Sequence, residues 1–163
     1  MSLMRRSTNS RRRMKVAAAI EFVLAGGFLA FWTAFLLTDM VDIADPRLRE
    51  VYLGFESAFP PADIVLAIVL ASGGIGLLRG KPYGRLLTLA GGGALVFLGL
   101  LDVTFNVRQG IYSLGPGEAV LNGAINFACL ASGILLIRTI GAVMIRDDDG
   151  AGRRDVAPAR EGR

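Results

Sequence analysis

Two pairs of polar residues stand inside long apolar runs, Asp102 with Asn106 and Asn122 with Asn126. Residues i and i+4 share one face of a helix, so each pair projects its two polar groups in a common direction. A carboxyl group costs about 3 kcal/mol at the centre of a bilayer and turns toward partners or a water-filled cavity rather than lipid. Three more acids, Asp39, Glu56 and Asp63, flank the apolar runs. These seven residues are the candidate ligand-binding set. Carboxylates with amide carbonyls make a hard-oxygen site for a cation, although no spacing here matches a known calcium loop. A buried carboxyl can also exchange a proton, or pair with an amine-bearing or hydroxylated lipid-like molecule. The third possibility is structural: Asp102 pairs with Arg108 or accepts hydrogen bonds from Asn122 and Asn126, which sets helix register.

Other chemistries are closed off by composition. The chain has no histidine, so the commonest metal ligand and general base are absent. Its single cysteine, Cys129, has no partner for an intrachain disulfide or a thiolate zinc site. No cofactor is implied, and no catalytic or metal-ligating set can be assigned.

The residues that position the acids form four apolar segments within 163 residues that are 53% hydrophobic. Such blocks indicate an all-α polytopic membrane protein, an antiparallel bundle of four transmembrane helices at about 16–38, 60–78, 86–108 and 118–145. The first run follows a basic arm, residues 1–15, holding Arg5, Arg6, Arg11, Arg12, Arg13 and Lys15 without an acid. It is longer than a signal-peptide core of roughly 7–15 residues, so it reads as a permanent anchor. The arm reads as a topology determinant that meets anionic lipid rather than as a specific nucleic-acid site. Trp32 suits the outer interface. Glu21 reads as a carboxylate reaching back to Lys15 or Arg13 at the headgroups, with a buried functional acid as the alternative.

Between segments one and two, Asp45-Pro46 supplies a helix N-cap and first-turn proline. Leu48, Val51, Tyr52 and Phe55 then recur at helical spacing, which predicts a short interfacial helix with Glu56 close to the mouth of segment two. Asp63 falls in the first turn of that segment, where the helix dipole favours an acid. The link Arg79–Arg85 is a tight basic turn, and the Gly91-Gly92-Gly93 triplet reads as a close helix contact. Small-residue rows at Gly26/Ala30/Ala34, Ser72/Gly76/Gly80 and Ala124/Ala128/Ser132 are further surfaces for close approach. Residues 146–163 mix acids and arginines with little apolar content and read as a disordered tail.

Lysine and arginine concentrate in the arm and the 79–85 turn, which puts both termini in the cytoplasm. The compact Arg-, Ala- and Gly-rich composition points to a bacterial cytoplasmic membrane. With this topology the candidate acids and amides gather at the outer ends of the helices, in a pocket open to the outside. The leading expectation is an integral membrane protein whose acidic/amide pocket binds a small or lipid-like ligand or a cation. One alternative is an accessory or assembly subunit, or a homo-oligomer, that packs its small-residue faces against a membrane partner while the polar cluster is structural. Another is a small intramembrane enzyme using Asp102 with Glu56 or Asp63 as an acid/base pair.

Overall fold

The computed structural model describes residues 2–38 and 43–155, with side chains described over 10–38 and 43–145. Asp39 lies outside the described residues. The fold is all-helical: α1 (Ser2–Leu37), α2 (Pro46–Glu56), α3 (Phe59–Leu78), α4 (Pro82–Gln109) and α5 (Pro116–Asp155), with a 3₁₀ turn at Ile111–Ser113. Four helices are long and apolar enough to cross a membrane, within Ser10–Leu37, Pro46–Leu78, Pro82–Gln109 and Pro116–Ile145. Large apolar side chains stay exposed on the outer faces of all four, among them Val23, Leu29, Ile68, Phe97 and Phe127. Both ends of the chain extend the outer helices. The basic arm is helical from Ser2, and α5 runs beyond Ile145 to Asp155, into the segment expected to be disordered.

Local chemistry sets the element ends. Asp45 accepts the backbone N–H groups of Arg47 and Leu48 at 2.9 and 3.5 Å and caps α2, with Pro46 following. Gly110, at φ 68°, closes α4 in the left-handed conformation that costs glycine nothing. Gly80, at φ 64°, does the same in the turn between α3 and α4.

The contacts run in opposite directions along successive helices, so neighbours are antiparallel. Trp32 meets Asp63 at one end of the α1/α3 seam, while Glu21 meets Gly73 and Ala18 meets Gly74 at the other. Along α3/α4, Leu70 meets Gly91 and Gly76 lies on Gly84. Along α4/α5, Leu130 meets Gly99 and Ile137 meets Gly92. Leu70, Leu95, Leu136 and Ile140 are fully buried between these seams. Each helix turns a three-four stripe inward; on α5 it is Asn122, Asn126, Cys129, Gly133, Leu136, Ile140 and Val143.

That stripe corrects the small-residue row of α5. Ala124 and Ala128 are exposed, and Gly133 is the close-approach residue of α5: a Cβ there would stand 2.6 Å from Gly92 O. Gly26 and Ala30 are likewise exposed, with no neighbouring atom within 4 Å of a Cβ at Gly26. The glycine triplet behaves as expected at Gly91 and Gly92, which receive α3 and α5 respectively, whereas Gly93 faces open space.

Candidate ligand pocket at one end of the bundle

A cavity of about 320 Å³ opens between α1, α3, α4 and α5 at the end where α2 sits. Its position follows from the seams. Small residues bring the helices together in the opposite half, whereas Phe28, Phe31, Trp32 and Phe59 hold them apart here. α2 lies across this end. Phe55 stacks on Phe105 of α4 with ring centroids 3.8 Å apart and planes 1° from parallel, and meets Phe59 edge-on at 4.7 Å. Thus the apolar stripe expected to lie along an interface packs Tyr52 and Phe55 onto the bundle. That docking delivers Glu56 to the cavity wall, 8% exposed.

Five of the seven candidates line this cavity: Glu56, Asp63, Asp102, Asn122 and Asn126. Asn106 does not line it, contrary to expectation. It is 1% exposed, one turn beyond Asp102 on the inward face of α4, and neither its amide nitrogen nor its oxygen has a hydrogen-bond partner. Glu56, Asp63 and Asp102 are near enough to act on one another electrostatically. Among the described residues no three acids or cysteines converge as metal ligands do.

The wall's hydrogen bonds sort its groups clearly. Trp32 Nε1 donates to Asp63 Oδ2 at 2.8 Å. Asn122 Nδ2 donates to the carbonyl and carboxylate of Glu118 at 3.0 and 3.2 Å. Asn126 Nδ2 donates to the Tyr112 hydroxyl at 2.7 Å, a contact made possible by the 3₁₀ turn. Tyr52 and Glu56, one turn apart on α2, both line the cavity. The asparagine amides donate to Glu118 and Tyr112 rather than to Asp102. Two acceptors remain without partners, Asp63 Oδ1 and Asn126 Oδ1, in side chains 5% and 3% exposed.

Trp32, Tyr52, Tyr112 and Glu118 are neighbours of the candidate residues that lie outside the candidate set. Trp32 is buried inside the bundle, and Asp63 accepts its indole N–H; because α3 begins at Phe59, Asp63 lies beyond the first turn, the place expected for its contact with the helix dipole. A signal was present: Glu21, Ala25, Phe28 and Trp32 follow one helical stripe, so tryptophan belongs on the inward face.

Glu21 also departs from the expected path to the headgroups. It is fully buried just below the cavity, against the Cα of Gly73 and beside Thr88. Thr88 donates its hydroxyl hydrogen to Gly84 O at 2.7 Å, and neither Glu21 oxygen has a donor.

Comparison with protein-family models, with curated proteins and with solved structures finds no match to this chain.

Proposed function

We propose that the chain is an integral membrane protein, with both termini cytoplasmic, that holds one small amphipathic or lipid-like molecule in an outward-facing pocket between its helices. The observation carrying this reading is an apolar, aromatic-walled cavity lined by Asp63 and Asn126, each of which keeps one buried oxygen without a partner. A buried acceptor left unpaired costs about 1–3 kcal/mol, a penalty that a bound donor group would remove. The cavity lies at the small end of the range of about 300–1,000 Å³ typical of small-molecule sites. Retention of unpaired acceptors beside an open cavity favours a ligand over purely structural polar contacts.

Gly27 supplies the test. It lines the cavity, and a Cβ at this position meets nothing within 4 Å, so the backbone there has room to carry a side chain and Gly27→Leu is expected to occupy cavity space. Native mass spectrometry of the protein released from mild detergent is expected to show a small non-peptide species bound one-to-one in the wild type and absent from Gly27→Leu. Equal occupancy in both proteins overturns the assignment to this cavity.

A second reading rests on the exposed Gly26 and Ala30 row, a face on which another membrane helix could pack closely. In that case the protein is a subunit of a larger assembly, and Ala30→Phe is expected to release a polypeptide that copurifies with the wild type.

A further inference from the structure

The wall chemistry specifies one end of the ligand. Most of its donors are engaged internally: Trp32 N–H on Asp63, both hydrogens of the Asn122 amide on Glu118 and one N–H of the Asn126 amide on Tyr112. Acceptors are in excess: the partnerless oxygens of Asp63 and Asn126, together with the carboxyl groups of Glu56 and Asp102. No lysine or arginine is among the described residues lining the cavity. A phosphate, sulfate or carboxylate head would meet only oxygen atoms and like charge. An inorganic divalent ion needs several oxygens converging at about 2.0–2.6 Å, a convergence not found among the described residues. The remaining wall is aliphatic and aromatic, and includes Phe28, Phe31 and Trp32, side chains of the type that attract a positive charge.

Resting on the ligand-pocket reading above, we infer that the bound molecule is an organic ammonium: a primary or secondary amine, protonated, on an apolar body. Its N–H groups donate to Asp63 Oδ1 and Asn126 Oδ1, Asp102 and Glu56 balance its charge, and the apolar body lies against the phenylalanines. The two buried, partnerless oxygens distinguish this arrangement from a mere collection of acids. Neither receives a hydrogen bond from the protein.

The chain has one tryptophan, and it stands in this wall, so its emission reports occupancy directly. Wild type, Gly27→Leu and Asp102→Asn in phosphatidylcholine nanodiscs are titrated with octylammonium, octyltrimethylammonium, octanol and octanoate, which differ only in the head. Octylammonium is expected to change Trp32 emission saturably and to bind at least about tenfold more tightly than octanol, the effect of about one charge-assisted hydrogen bond. Octyltrimethylammonium, without N–H groups, is expected to bind more weakly than octylammonium, and octanoate not to bind. Asp102→Asn is expected to lose about tenfold for octylammonium and to leave octanol unchanged.

If all four probes bind equally and Gly27→Leu abolishes each, the pocket stands and the ammonium assignment falls. If the trimethyl compound equals octylammonium, the hydrogen-bond donation falls. If no probe responds to Gly27→Leu, the pocket reading itself fails.

Discussion

The helix crossing beneath the cavity allows a sharp test, because glycines in α4 and α5 sit in different surroundings on helices of the same kind. At Gly133, a Cβ would stand 2.6 Å from Gly92 O, 2.9 Å from Val96 Cγ2 and 3.1 Å from Leu95 Cβ. The first and last of these atoms belong to the backbone or its root and cannot swing away, so Gly133→Ala must push α4 and α5 apart. At Gly93 the same methyl group meets nothing within 4 Å. Both substitutions gain helix propensity of about 1 kcal/mol, which cancels in the comparison. The difference is therefore the overpacking cost alone, about 1–3 kcal/mol, or roughly 5- to 140-fold in the folding equilibrium. Gly93→Ala is expected to be more stable than wild type, and Gly133→Ala less stable than Gly93→Ala by that difference. Reversible unfolding in mixed micelles, followed by helical circular dichroism, gives both values. Because this crossing fixes the distance between the helices carrying Asp102 and Asn126, Gly133→Ala is also expected to weaken octylammonium binding. Equal stability of the two variants would refute the backbone-to-backbone contact and the floor of the cavity with it.

Three further outcomes follow from single side chains. Glu21 is fully buried with both oxygens lacking a donor, so Glu21→Met, similar in length and free of polar atoms, is expected to raise stability by about 1–3 kcal/mol in the same unfolding assay; a loss would reveal a partner for the carboxyl. Tyr112→Phe removes the acceptor of the Asn126 amide and is expected to destabilise by about 1–3 kcal/mol, with a change in the Asn126 amide signal by NMR as the local check. Gly110→Ala places a side chain at φ 68° and is expected to cost about 1–2 kcal/mol at the end of α4, whereas Gly93→Ala on the same helix does not; equal effects would contradict the left-handed cap.

The amino-acid sequence by itself determined the helical architecture. Apolar runs of the necessary length, the Asp45-Pro46 cap, the glycine-containing turns and the arrangement of acids toward one end of the segments all follow from local periodicity and local chemistry. It also marked Glu56, Asp63, Asp102, Asn122 and Asn126, because polar groups inside apolar runs are too costly to face lipid. Tertiary structure decided what spacing could not, namely the rotation of each helix about its own axis. Ala124/Ala128 and Gly133 are equally plausible small-residue faces until α4 is laid against α5, and the contact with Gly92 selects Gly133. The same rotation buries Trp32 on Asp63, takes Glu21 away from the headgroups and leaves Asn106 beyond the cavity. Which acceptors remain unpaired is a property of the assembled wall, since the Asn126 amide is satisfied by a tyrosine from the 3₁₀ turn and the Asp63 carboxyl by an indole from α1. A hydrogen bond across helices depends on distances that sequence separation does not encode, and only packing brings them within reach.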